Sequence, residues 1–255
     1  MAMEVFSEEW ARKICEKLNQ SKTYKKAAKT WEGGLILVDA KEPILRLEKD
    51  LMVFFDLWHG ECRGARVATE ADLEQARFVL KANPFVWLDV LDGKLETISA
   101  VMRGKLKLVK GSAIALTKYV SVANELAATA RQIESIYEGG FSLVADPSLS
   151  ISESRTVYME VYLDNNKGYM KEVRPASKED LQRAEYIYVA SPKTWREITE
   201  KKLDLISYLK KEQLKIAKGS ILALVPFIKP IDQLVRKVVE IAKTKPEIGR
   251  ILLEG

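Results

Sequence analysis

The feature that most constrains this chain is its likeness to itself. Displaced by 108 residues, positions 53–126 align without a gap onto 161–234, with roughly a third of them identical. Asp56 and Gly60 meet Asp164 and Gly168, and Asp72, Leu73 and Ala76 meet Asp180, Leu181 and Ala184. Pro84, Trp87, Ile98 and Ser99 meet Pro192, Trp195, Ile206 and Ser207, and Leu106, Lys107, Lys110, Gly111 and Ser112 meet Leu214, Lys215, Lys218, Gly219 and Ser220. Upstream, Trp31-Glu32-Gly33-Gly34 meets Tyr137-Glu138-Gly139-Gly140 displaced by 106, which puts a two-residue indel between the two blocks. The period is too long and the copies too few for a solenoid, so the chain reads as a duplicated domain, 1–133 followed by 134–255.

Within one copy the periodicities follow one another in a definite order. Phe6, Trp10, Ile14 and Leu18 lie at four-residue spacing on one face of a helix, and Ser21 can cap a second. Gly33-Gly34 breaks into the apolar run 35–38, and 52–57 and 62–67 flank His59-Gly60 as a hairpin. Ala76, Phe78, Leu80 and Ala82 alternate with Arg77, Val79 and Lys81, and Ala184, Tyr186, Tyr188 and Ala190 keep the small-large-large-small order. That period of two predicts a strand. Pro84 opens a helix carrying Trp87, a short helix follows Gly93, 105–108 alternates as a half-buried strand, and 113–136 reads as one long helix. The long helix stands where the second copy's N-terminal helices would be, so it is a candidate to serve both halves. The order predicts an α+β layered fold, each copy a mostly antiparallel sheet covered by helices.

Composition limits the function. Apolar residues make up 47% of the 255, enough for a core, yet no run approaches the ~20 needed to span a bilayer. Glu4, Glu8 and Glu9 have the wrong sign for a signal peptide, so a soluble cytoplasmic protein is expected. The net charge of +5 is spread over both halves, +3 and +2, with no arm or tail, which argues against nucleic acid but suits transient contact with an anionic membrane surface. Cys15 and Cys62 form no CxxC pair and read as small buried hydrophobes rather than a disulfide framework. The single histidine, His59, has no metal or triad partners, and no Walker or Rossmann glycine pattern is present. Lys110-Gly111-Ser112 and its copy at 218–220 could cradle a phosphate, but a glycine turn with a serine cap is the plainer reading. The duplicated aspartates sit near turns, where bonding backbone N–H groups is the common task.

The aromatic-Glu-Gly-Gly start, the strand at 76–81, the helix with Trp87, and the run Gly93-Lys94-Leu95 to Met102-Arg103-Gly104-Lys105-Leu106-Lys107-Leu108-Val109-Lys110-Gly111 resemble the sterol carrier protein type two family. The likeness covers about 100 residues of the first copy and reaches the second through the repeat. It implies tandem sterol-carrier-like domains, each with a five-stranded sheet and an apolar tunnel between sheet and helices. It also implies a lipid or fatty acyl ligand: fatty acid, fatty acyl-CoA, sterol or phospholipid; an isoprenoid lipid is expected as a further occupant of such a tunnel. The tunnel residues the resemblance points to are Phe78, Leu80, Trp87, Ile98, Met102, Leu108 and Leu116 in the first copy. In the second they are Tyr186, Tyr188, Trp195, Ile206 and Ile216. The second copy departs from the pattern: Glu212-Gln213 replaces Gly104-Lys105, and Pro226 and Pro230 interrupt a helix expected to be continuous in the first. No nucleophile–base pair is visible, so a non-catalytic carrier without cofactor or metal is expected, as a monomer with pseudo-dimeric halves or a homodimer. The alternatives are an enzyme subunit that uses the cavity for an acyl substrate, and a ligand-sensing or interaction module.

Overall fold

A computed structural model of the chain describes residues 3–200 and 204–254. These form two compact units, Met3–Ile133 and the residues from Glu134 on. The first unit runs α1 (Glu8–Gln20), α2 (Lys22–Ala27), β1 (Glu32–Asp39), β2 (Leu51–Trp58), β3 (Glu61–Val67), α3 (Glu70–Gln75) and β4 (Ala76–Ala82). It continues through α4 (Pro84–Leu91), α5 (Thr97–Met102), β5 (Lys107–Lys110), α6 (Ala113–Thr117) and α7 (Val120–Arg131). The second unit holds β6 (Ile136–Ala145), β7 (Thr156–Asp164), β8 (Gly168–Pro175), α8 (Lys178–Arg183), β9 (Tyr186–Ala190), α9 (Pro192–Glu200), α10 (Leu205–Lys210), β10 (Leu214–Lys218), α11 (Ile221–Leu224), α12 (Ile228–Thr244) and α13 (Pro246–Gly249).

The two sheets share one topology. Strand order is β3-β2-β1-β4-β5 in the first and β8-β7-β6-β9-β10 in the second. In each, the first strand pairs parallel with the fourth and every other pairing is antiparallel. The α+β layered class is therefore as the repeat predicts. The register, however, moves the indels. Gly34 faces Asp56, whereas Gly140 faces Glu160, so Asp56 superposes on Glu160 and not on Asp164. The link between the first two strands is shorter in the second unit and the hairpin turn is longer. Trp58 and Glu61 close a two-residue turn, while Leu163 and Gly168 enclose four residues. The slip is by an even number of residues, which keeps every side chain on its face and let the ungapped alignment look correct. It also explains why the two aspartates do different work. Asp56 pairs with Arg63 at 2.7 Å, and Asp164 accepts from the N–H groups of Asn166 and Lys167 at 2.7 and 2.8 Å.

Three further expectations are corrected. The single helix over 113–136 is two helices, α6 and α7, separated at Lys118-Tyr119, and 136 already belongs to β6. The second unit breaks at the matching place, where Pro226 lies in a 3-10 turn and Pro230 in the first turn of α12, so neither proline removes a needed N–H bond. Cys15 and Cys62 are buried as expected but are joined as a disulfide, with Cα atoms 5.3 Å apart, tying α1 to β3. Helix α3, absent from the sequence reading, starts with a capping box of Thr69 and Asp72, repeated at α8 by Ser177 and Asp180.

Both faces of each sheet are covered. Ile36, Val38, Ala68, Ala76 and Val79 make a small outer core beneath Leu73 of α3, and Val144, Tyr158, Ala184, Ile187 and Val189 repeat it. Val79 is thus buried rather than outward-facing. The inner face of the first sheet lies under α1, which packs on β2 and β3, and under α4 and α7, whose side chains meet those of β1 and β4 around one cavity.

Candidate functional site

The inner layer of the first unit is loosely filled. Leu35 and Leu37 of β1 and Leu80 of β4 form the floor of a cavity, with Trp87 and Val90 of α4 to one side. Ala123, Ala127 and Ala130 of α7 form much of the roof, and Thr97 is the one polar residue of the described lining. The open space at its centre is about 40 Å³, room for a water or two. With the space between side chains and at the mouth included, it is about 600 Å³. Three alanines on the inward stripe of a helix leave the roof low in volume, which is why packing here stops short of a solid core.

Aromatic rings close one end. Phe6 stacks on Trp10 at 5.3 Å and meets Trp87 edge-on at 5.5 Å. Its backbone sits in the left-handed region, φ 62°, which is unfavourable for a bulky residue and is offset here by burying the ring between two indoles. The Trp87 N–H donates to the Val38 carbonyl at 2.9 Å, so its polar edge is satisfied and only its ring face borders the cavity.

Of the first-copy residues expected around a tunnel, Leu80, Trp87 and Leu116 border this cavity. Phe78 is buried behind it, 5.3 Å from the ring of Trp31, and Ile98 is buried beside Thr97. Leu108 is half-buried on the edge strand β5. Met102 is 68% exposed at the end of α5, so it does not line the cavity: a six-residue helix turns only part of its surface inward, and Ile98 and Ala100 take that side. Trp10, Trp31 and the α7 alanines border the cavity without being among the expected tunnel residues; Trp10 does lie on the apolar face of α1, whereas Phe6, expected on that same helical face, precedes the Ser7 cap and reaches the cavity from a turn.

In the second unit the matching positions of that layer carry larger side chains. At the register positions that Leu35 and Leu80 hold in the first sheet, the second has Phe141 and Tyr188. Phe141 stacks on Tyr186 at 4.9 Å and meets Tyr188 at 5.9 Å. The three roof alanines become Ile231, Val235 and Val238 in the repeat, all buried. Tyr186, Tyr188, Trp195, Ile206 and Ile216 are all buried in this layer, and Trp195 donates to Val144 at 2.9 Å as Trp87 does to Val38. Burial pushes the Tyr188 hydroxyl well above the usual phenol range.

The charged motifs hold the fold. Asp72 forms a two-pronged ion pair with Arg66 at 2.5 and 2.6 Å and accepts from the Thr69 N–H, and Asp180 does the same with Arg174 and Ser177. Those bonds hold both carboxyls far below the usual carboxylate range. Lys110 donates to the carbonyls of Leu73 and Glu74, and Lys218 to that of Gln182, at the ends of α3 and α8, so neither lysine waits for a phosphate. Gly111 and Gly219 take φ 105° and 96° with a ring, Phe78 or Tyr186, directly against them, where no side chain fits. His59 bonds the Lys29 carbonyl and Glu32 at its turn. Among the described residues no group of three or more His, Cys, Asp or Glu side chains could hold a metal ion, and no helix is long and apolar enough to cross a membrane.

A duplicated α+β domain with an apolar cavity in its first copy defines the class, a layered scaffold that encloses an apolar space between sheet and helices. The model of the SCP-2 sterol transfer family matches residues 12–124. A crystal structure of sterol carrier protein 2 is 45% identical over 51% of this chain and 98% of its own, with a TM-score of 0.47. A conserved hypothetical protein from Thermus thermophilus, described as a possible sterol carrier protein, is 47% identical over 51% of this chain and 90% of its own, also at 0.47. The apo form of sterol carrier protein 2 from Yarrowia lipolytica is 16% identical over 49% of this chain and 88% of its own, at 0.35. Among curated proteins none matches. The chain belongs to the SCP-2 sterol transfer family.

Proposed function

We propose that the first unit is a non-catalytic carrier of one long apolar lipid, a fatty acyl, sterol or isoprenoid chain, and that the second is a filled copy with no ligand of its own. The observation that carries this reading is the cavity's lining of sixteen residues, apolar except for Thr97, under a roof of alanines that the second unit replaces with larger side chains. A ligand site usually has about 300–1,000 Å³, so the small open centre must expand, with the lining side chains moving apart as the chain enters. Each buried methylene gains about 0.8 kcal/mol, so a dozen supply roughly 10 kcal/mol before costs. Lost freedom of the lipid and the opening of the cavity take back several kcal/mol, leaving affinity on the order of micromolar.

Extraction of the purified protein with organic solvent followed by mass spectrometry tests the reading. A single class of long-chain lipid near one equivalent per chain is expected, with affinity for added chains rising with length until the cavity is full. No saturable binding of any long-chain lipid to the folded protein sinks it.

A further inference from the structure

The inner face of β1 continues past the cavity. Leu35 and Leu37 border the cavity, and two residues on, on the same side of the strand, comes Asp39. Leu37 lies opposite Leu80, which also borders the cavity, and Asp39 lies opposite Ala82. The carboxyl therefore stands one step of the inner face beyond the apolar lining, about 7 Å along the strand. It is 1% exposed, and neither oxygen has a hydrogen-bond partner among the described residues. Burial, with the nearby charge of Asp50 as a smaller cause, pushes its pKa up to about 8, so near neutral pH it is mostly the uncharged acid.

The fold does not call for a carboxyl at this place. In the second unit the same register position, opposite Ala190, is Ala145, fully buried. The difference between the copies goes with a difference in their inner layers: the carboxyl is present where Leu35 and Leu80 border the cavity, and an alanine stands there where Phe141 and Tyr188 take those register positions.

We propose that Asp39 anchors the head of the bound lipid, and that this head is a neutral hydroxyl rather than an acid. The proposal rests on the carrier reading above. An un-ionised carboxyl offers one donor and an acceptor, and a hydroxyl offers the same, so the pair satisfies itself without burying charge. A fatty acid would set a second acid against the first, and one of the two would have to stay protonated at a cost.

The test is tryptophan-fluorescence titration of the full chain with cetyl alcohol and with palmitic acid near neutral pH, since Trp10, Trp31 and Trp87 border the cavity. Unaltered protein is expected to prefer the alcohol by about tenfold. Asp39→Ala, which the second unit shows the fold accepts, is expected to bring the two ligands within about twofold through loss of affinity for the alcohol. Asp39→Asn keeps a donor and an acceptor and retains the preference. Binding of both ligands with a ratio that Asp39→Ala leaves unchanged overturns the anchor alone. Binding of neither ligand to unaltered protein overturns the carrier reading and the anchor with it.

Discussion

The indole N–H of Trp87 donates to the carbonyl of Val38 across 2.9 Å, fixing the helix that follows the fourth strand onto the first strand of the sheet. The bond recurs between Trp195 and Val144, also at 2.9 Å, so it belongs to the domain and not to its ligand. Replacing Trp195 by Phe leaves a buried carbonyl without its donor and is expected to cost about 1–3 kcal/mol in stability with no change in lipid affinity. Trp87→Phe is expected to cost a similar amount and also to weaken lipid binding. Chemical denaturation and titration side by side separate the two; equal effects on binding would remove the distinction between the copies.

Importing the second copy's roof should close the first copy's cavity. Ala123→Ile, Ala127→Val and Ala130→Val together add side-chain volume where the lining is loosest. Lipid affinity is expected to drop by more than tenfold while thermal stability holds within about 2 kcal/mol, because the space exists to be filled. Unchanged affinity would mean that the lipid sits elsewhere.

Asp39 gives stability a sign opposite to that of most carboxylates. Its folded pKa of about 8 lies above the ordinary 3.8, so between those values the native state holds a proton that the unfolded chain has released. Stability from this group therefore falls as pH rises from about 4 to about 8, by an amount of order a few kcal/mol. Asp50 adds to the shift and is itself kept ionised by Lys81 and the N–H of Lys41. Asp39→Ala should flatten the slope and raise stability at the alkaline end; urea titrations across that range that superpose for both proteins would contradict it.

The Cys15–Cys62 disulfide closes a loop across a separation of 47 residues. A loop of that length restrains the unfolded chain by about 4 kcal/mol on the entropic model. Reduction, or Cys15→Ser with Cys62→Ser, is expected to lower the unfolding free energy by about 2–4 kcal/mol while leaving the fold intact. A reduced protein as stable as the oxidised one would show that the bond adds nothing.

The stretch 97–124 contains five basic residues and no acid, and within it Met102, Val109 and Ile114 are exposed. Exposed apolar groups among lysines suit a brief contact with an anionic bilayer, each charge near the surface contributing about 1 kcal/mol. Sedimentation with phosphatidylserine vesicles is expected to be salt-sensitive and to weaken several-fold with Met102→Asp and Ile114→Asp. Equal partition onto neutral phosphatidylcholine vesicles would rule out the electrostatic part.

Period and repetition in the sequence were enough for the layered class, the duplicated domain, the inward Phe78 and Leu80 of β4 and the buried Trp10, Ile14 and Leu18 of α1. Those features are local: a face is set by a residue's place in a period of two or 3.6, and a repeat preserves it. Tertiary structure decided the rest. Cys15 and Cys62 give no spacing signal because a helix and a strand bring them together from 47 residues apart. The hairpin indel was invisible because an even slip keeps every face. Whether an inner layer is cavity or core depends on volumes summed over β1, β4, α4 and α7, so three alanines on a distant helix count for as much as Leu80. Asp39 reads in sequence as the polar end of a strand; only the layers packed over it turn it into a buried, uncharged acid.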